Sequence, residues 1–396
     1  MDSSTRLALL HLACLTLSAA CSHRDGEPAV RAPEPGEGPL VPLASIAVVA
    51  EPWSVAAADL NGDGHADVVV GGAGVEVLLG DGAGGLARAP GSPVKGPTAA
   101  QDFAFGDFDG DGRTDLAVAE HDELPRFFLF LGAGDGRFAP APASPFVVDA
   151  EPHLHTLAAF DFDGDGDLDV VTDSWPESRL VLVEGRGDGS FVTPGRQLPV
   201  PEVPIVNLRA ADMNGDGRVD LVTPAHDQGA VTVLLGDGEG GFRQAPGSPF
   251  PSFGGFSKVA LADLDRDGDP DVAEVHRSDP STQYDRDALS ILLNDGTGRL
   301  EHAPGSPILE LSGRVGEHAL GDADGDGWLD VVTLSQWTGA AALFRGGEGG
   351  FEPAGESATG ERPTAVAMGD LDGDGRAEVL VTDASGGRLL VLGLRP

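Results

Sequence analysis

From residue 45 onward, apolar residues come in short runs separated by small or polar positions, without the three-to-four-residue spacing of helices. Runs such as SVAAADL, DFAFGDF and AVAMGDL alternate small side chains. Each is followed by a β-branched run, as in ADVVVGG, TDLAVAE, LDVVTDS and VDLVTPA. A third apolar run ends in a Gly-rich turn (VEVLLGDGAGG, VTVLLGDGEGG, LSILLNDGTGR), and a Phe or Leu then opens a Pro-containing segment such as GGFRQAPGSPF. Period-two runs bounded by Gly, Asp and Pro predict strands joined by hairpins.

The pattern repeats. Between the first and second runs stands an acidic nonapeptide: DLNGDGHAD from Asp59, DFDGDGRTD from Asp107, DFDGDGDLD from Asp161, DMNGDGRVD from Asp212, DLDRDGDPD from Asp263, DADGDGWLD from Asp322 and DLDGDGRAE from Asp370. The start-to-start intervals are 48, 54, 51, 51, 59 and 48 residues. Four short strands per repeat of about 50 residues predict an all-β, seven-bladed β-propeller, with the small-residue run innermost near the axis. The seventh unit reaches Pro396 without a fourth strand, while Ser45–Ala50 is an unassigned apolar run at the other end. Pairing of the two ends would supply the missing outer strand and remove an exposed edge.

The nonapeptide resembles the signature D-x-[DN]-G-D-G-x-x-D of FG-GAP/VCBS repeats, the propeller repeat of integrin-α type. The resemblance covers residues 44–396 and rests on seven matching loops. It implies a Ca²⁺-loaded propeller used mostly for recognition outside the cytoplasm, and it implies no particular ligand.

The residues support the same metal. Ca²⁺ takes six to eight oxygens in flexible geometry. Positions 1, 3, 5 and 9 of the loops supply side-chain oxygens: Asp59, Asn61, Asp63 and Asp67; Asp107, Asp109, Asp111 and Asp115; Asp161, Asp163, Asp165 and Asp169; Asp212, Asn214, Asp216 and Asp220; Asp263, Asp265, Asp267 and Asp271; Asp322, Asp324, Asp326 and Asp330; Asp370, Asp372, Asp374 and Glu378. Position 7 is expected to ligate through its carbonyl (His65, Arg113, Asp167, Arg218, Asp269, Trp328 and Arg376). An EF-hand shares the early spacing but needs flanking helices and a Glu at position 12, and plain hairpin turns would not call for Asp at four alternate positions. Up to seven structural Ca²⁺ ions are expected, weakest in the fifth loop, with Arg266 and Pro270, and in the seventh, with Glu378.

Charge narrows the partners. Lys+Arg total 25 against 64 Asp+Glu, a net charge of -39, and only Lys95 and Lys258 are lysines. Such a chain repels nucleic acid and anionic lipid. The loops hold 28 of the 64 acidic residues, so much of this charge is concentrated where a cation is expected.

The N-terminus reads as an export signal over residues 1–21, with Arg6 ahead of the apolar stretch Leu7–Leu17. Leu17-Ser18-Ala19-Ala20-Cys21 resembles a bacterial lipoprotein cleavage box, with Ser18 where a larger aliphatic is usual. The resemblance implies lipidation of Cys21 and membrane attachment through that anchor alone; an ordinary signal with an incidental Cys is the alternative. Cys14 falls within the signal, so the mature chain has no second thiol for an internal disulfide. Residues 22–43, rich in Pro, Gly and Glu, read as a tether, and 44–396 as the propeller. A monomer is expected.

If the acidic loops join strands 1 and 2, the loops between strands 2 and 3 and between blades lie on the opposite face. Trp53, His121, His153, His155, Trp175, His226, His276, Tyr284 and Trp337 sort there, as does His318, together with the insertion Glu274–Asp287. Aromatic, imidazole and charged groups on variable loops point to recognition of a protein or glycan. His153 and His155, two apart in an extended segment, share a side and pose a Zn²⁺ question with His121 or Glu151. No hydrolase, metalloprotease, P-loop or dinucleotide motif occurs in a convincing context. A non-enzymatic recognition lipoprotein is therefore the expected function. The alternative is a Ca²⁺-dependent polysaccharide lyase drawing on Arg126, Arg179, His153 and His155, which the net negative charge disfavours for an acidic polymer.

Overall fold

The computed structural model describes residues 37–174, 179–198, 207–225, 229–253, 256–277, 287–308 and 315–395. It contains seven antiparallel sheets, each built from sequence-adjacent strands except for one. Blade 3 shows the plan, with strands Leu157–Phe160, Asp169–Ser174, Arg179–Val183 and Arg196–Leu198 from inside to outside. Among the described residues no helix is long and apolar enough to cross a membrane.

The β-branched second strand is buried at every residue from Asp67 to Gly72, Asp115 to Glu120 and Asp169 to Ser174, because a neighbouring blade covers each of its faces. Seven apolar clusters hold the ring together, and each spans two adjacent blades. The cluster around Phe127, Leu129, Val170 and Val181 joins blades 2 and 3, and that around Val68, Val70, Leu380 and Leu389 joins blade 1 to blade 7. The core thus lies between the sheets. Small inner-strand residues have a packing reason: a Cβ on Gly369 would stand 2.9 Å from the Ala57 Cβ of the next blade, and one on Gly321 2.9 Å from the Met368 Cβ.

The chain ends meet in blade 7. The strand Leu40–Ala47 runs antiparallel to Arg388–Leu394, pairing Leu40 with Leu394 and Ala47 with Arg388. This is the expected closure, but the strand begins five residues earlier than Ser45, so Leu40–Leu43 belong to the sheet rather than to the tether. The Leu40 side chain is the reason. It is buried in the cluster between blades 6 and 7, and its amide donates to Ser357 Oγ at 2.9 Å.

The Pro-containing outer strands are interrupted. In blades 1, 2, 4 and 5 a serine before the proline accepts the third-strand amide exposed by the break: Val77 to Ser92, Leu129 to Ser144, Val233 to Ser248 and Ile291 to Ser306, at 2.8–3.1 Å.

Candidate metal loops and recognition face

Each acidic loop connects strands 1 and 2 of its blade and is organised by its own carboxylates. In loop 3, Asp161 accepts the amides of Gly164 and Gly166 at 2.7 and 3.0 Å. Glycine at these positions has φ of 79° and 95°, the left-handed region where a Cβ is disfavoured. In every loop the position-7 amide donates to the position-5 carboxylate: His65 to Asp63, Arg113 to Asp111, Asp167 to Asp165, Arg218 to Asp216, Asp269 to Asp267, Trp328 to Asp326 and Arg376 to Asp374, at 2.8–3.0 Å.

Position 9 does more than offer a ligand. Asp169 is buried and accepts the Phe162 amide at 3.0 Å and the Gly185 amide at 2.8 Å, tying the loop to the end of strand 3. Asp67, Asp115, Asp220, Asp271 and Asp330 make the same two bonds. Burial raises their pKa values, to about 6 for Asp169, Asp220, Asp271 and Asp330, with neighbouring loop carboxylates adding to the shift. Burial also raises Asp67, Asp115 and Glu378.

Position 2 stitches the blades together. Leu60, Phe108, Phe162, Met213, Leu264, Ala323 and Leu371 are all buried. The carbonyls of Phe108, Phe162, Met213 and Leu371 accept bonds from the Gly-rich turn of the following blade, through Gly189, Gly240, Asn294 Nδ2 and Gly84, at 2.8–3.1 Å.

The donor set fits a hard divalent cation. One carboxylate oxygen from each of Asp107, Asp109 and Asp115 lies within 4.8 Å of the others, and the same holds for Asp161, Asp163 and Asp169, for Asp263, Asp265 and Asp271, and for Asp322, Asp324 and Asp330. Loop 5 thus gathers its carboxylates as loops 2, 3 and 6 do, despite Arg266 and Pro270. There Asp263 Oδ1 is out of contact with solvent and accepts no hydrogen bond, an oxygen that a cation would satisfy. Arg266 adopts φ 67° in place of glycine, and its guanidinium lies 4.3 Å over the Trp328 ring of the next loop. Loop 7 differs. Its cluster is Asp370, Asp372 and Asp374, while the longer Glu378 accepts the Leu371 amide at 2.8 Å. Loops 1 and 4 place Asn61 and Asn214 at position 3, where each accepts the amide two residues on, at 2.9 Å.

On the opposite face the sequence candidates separate. Trp53 and Trp337 are 47% and 43% exposed. Gln336 Nε2 donates to the Thr364 carbonyl at 3.1 Å, and Thr364 Oγ1 donates to the Pro52 carbonyl at 2.6 Å. This relay places both tryptophans, from blades 1 and 6, on one sector beside blade 7. The Arg277 guanidinium lies 5.8 Å from the Trp337 ring centre.

His121, His153 and His155 come together between blades 2 and 3, with ring centres 4.6 Å apart for His121 and His153 and 5.0 Å for His121 and His155. Burial, then the neighbouring imidazoles, hold His121 down to about 4. His276 is a correction: it is buried inside the strand Asp271–Arg277, not displayed on a loop, because that strand continues pairing as far as Ala288 opposite it. Its ring lies 3.2 Å from Ser257 Oγ and 3.0 Å from Ser290 Oγ. His318 likewise sits in the inner strand Val315–Gly321, its Nε2 3.1 Å from the Ala273 carbonyl. Trp175, His226, Tyr284 and Cys21 lie outside the described residues, as does most of the insertion after Arg277.

Comparison with known structures places this architecture. A lectin from Agrocybe aegerita, described as specifically recognising non-reducing terminal N-acetylglucosamine, is 21% identical, covers 77% of this chain and 80% of its own, and superposes with a TM-score of 0.53. BBS1N in complex with ARL6DN is 12% identical over 90% of this chain and 98% of its own, with a TM-score of 0.60. At these identities the likeness is one of fold. The model of the FG-GAP-like repeat matches residues 59–118, 107–172, 224–273 and 322–381, each match containing or reaching acidic loops described above. These matches cover more than half of the sequence, and the chain belongs to the FG-GAP-like repeat family.

Proposed function

We propose that the protein is an exported, Ca²⁺-loaded recognition module, attached to the cell envelope through lipid on Cys21, which binds a glycan through the sector carrying Trp53 and Trp337. One observation carries the glycan reading: two large aromatic rings remain about half exposed on the same sector, where burial would have been the default for residues of this size. Sugar rings present C–H faces that pack on indole, and Arg277 adds a polar partner beside one of them. The lectin of similar fold lends modest support. Ca²⁺ in the loops has a structural role here, bracing the opposite face.

The reading is non-enzymatic and monomeric. A uronate-processing site would draw on Arg126, yet this side chain is paired with Glu120 and lies 3.7 Å from Asp122. A glycan array probed with Ca²⁺-loaded protein is expected to give binding that Trp337→Ala and Trp53→Ala remove without product release. Array silence combined with capture of a defined protein partner would replace the glycan reading, and unsaturated oligosaccharide products would replace the non-enzymatic one. Palmitate incorporation abolished by Cys21→Ala checks the anchor.

A further inference from the structure

Three imidazoles from two blades meet at a place that the acidic loops do not explain. His121 follows the strand Asp115–Glu120 of blade 2 and is fixed by its amide, which donates to the Ala99 carbonyl at 2.9 Å. His153 and His155 precede the first strand of blade 3. Between them Leu154 is buried in the core, and both imidazole rings lie against that of His121 from blade 2. His153 holds the left-handed φ of 70°, uncommon for a residue with a Cβ, and its amide donates to the Asp122 carbonyl at 3.0 Å. That conformation brings its ring against His121 from the neighbouring blade.

The third ring is oriented by a buried acid. Asp173 is fully buried; its Oδ1 accepts the amides of His155 and Thr156 at 2.8 and 3.1 Å, and its Oδ2 lies 2.7 Å from His155 Nδ1. A carboxylate on Nδ1 holds the proton there and leaves Nε2 as the acceptor nitrogen of the ring, the arrangement that supports histidine ligands of transition metals.

We propose that His121, His153 and His155 form a binding site for one nitrogen-preferring divalent transition-metal ion of the Zn²⁺ class, separate from the Ca²⁺ loops, with Asp173 as the residue that positions His155. Imidazole donors suit Zn²⁺ and its neighbours, whereas Ca²⁺ takes oxygen. The His121 ring lies against both of the others and Asp173 holds His155, so His121 and His153 are the rings that turn for the nitrogens to converge on the ion. Three protein ligands leave one coordination position to water or an exogenous donor. This site is independent of the glycan reading: it uses neither tryptophan.

Isothermal titration of the full chain with Zn²⁺, in buffer saturating for Ca²⁺, tests it. One equivalent is expected to bind. His121→Phe keeps an aromatic ring without nitrogens, and His153→Asn keeps a residue tolerant of the left-handed backbone; each is expected to abolish the uptake. Asp173→Asn should weaken it by about 10–100-fold. The exposed His302→Ala should leave it unchanged. Melting curves in Ca²⁺ establish that each variant is folded. For any that is not, the visible spectrum of Co²⁺-loaded wild-type protein decides, with intense tetrahedral bands expected and a weak octahedral spectrum counting against the site. Absence of saturable uptake, or uptake that survives His121→Phe combined with His153→Asn, would overturn the proposal.

Discussion

The two faces of the ring are made by opposite means. On the acidic-loop face one nonapeptide is used seven times, and its side chains mostly bind the chain's own backbone: position 1 holds the loop glycines, position 5 the position-7 amide, and position 9 the end of strand 3. On the other face the distinctive described residues are confined to particular blades. Two tryptophans stand exposed at one sector and three histidines cluster at another. Repetition marks what every blade needs in order to fold, and irregularity marks where one blade does something its neighbours do not. The contrast can be broken or sharpened by experiment.

The largest effect should come from the repeated face. At millimolar Ca²⁺, with dissociation constants of about 10⁻⁴–10⁻³ M, each occupied site contributes about 0.4–1.4 kcal/mol, and seven independent sites about 3–10 kcal/mol. A chelator should therefore lower the melting midpoint markedly, and an unchanged midpoint would remove the structural role assigned to the metal. Next, Asp169→Ala leaves the Phe162 and Gly185 amides without their acceptor. One buried and one part-buried donor at about 1–3 kcal/mol each predict a loss of about 2–6 kcal/mol, measurable by denaturant titration. Asp165→Ala in chelator, where only the exposed turn is affected, should cost well under half of that.

On the irregular face the ordering reverses. Trp337→Ala should weaken glycan binding by about tenfold or more, roughly 1.4 kcal/mol, while shifting the melting midpoint little because the ring is already exposed. Equal losses of binding and stability would make that tryptophan a structural residue.

A smaller effect concerns pH. Asp169, Asp220, Asp271 and Asp330 are raised to about 6 by burial. Between about pH 4 and 6 the metal-free folded state therefore holds more protons than the unfolded chain, and its stability falls as pH rises through that window. Ca²⁺ binds the ionised form. The gain in melting midpoint on adding Ca²⁺ should grow as pH rises from 5 to 7; a constant gain would separate position 9 from the metal. The smallest effect is expected for Arg266→Gly. Loss of a stack over Trp328, about 0.5–1 kcal/mol, is offset by relief of a left-handed backbone, so thermal melting should move by a degree or two at most.

Much of the repeated face could be read from the chain, because period-two runs and a fixed nonapeptide spacing are local signals. Blade number, strand order and closure by the N-terminal strand all follow from them. Contacts between blades left no such trace. That the position-2 residue is a plug whose carbonyl binds the next blade depends on atoms far apart in sequence, and that a serine before proline repairs a broken outer strand depends on the hydrogen bonding of the strand beside it. His276 shows the limit from the other side. In a strand covered on both faces, alternation does not separate inside from outside, and only the length of pairing with Ala288–Asn294 shows that the histidine is interior. His153 and His155 were legible as a pair by their spacing, whereas their meeting with His121 rests on how two blades pack.

The pairing of Leu40 with Leu394 has a kinetic consequence. Six blades are made of neighbours in sequence and can form as the chain emerges, but the seventh requires its first and last strands together. Its closure is the contact of highest order in the molecule, so it should be the late, slow step of folding. Until then the third strand of that blade lacks its outer partner. If the chain is exported as proposed, its ring closes only after the strand Arg388–Leu394 has cleared the translocation machinery.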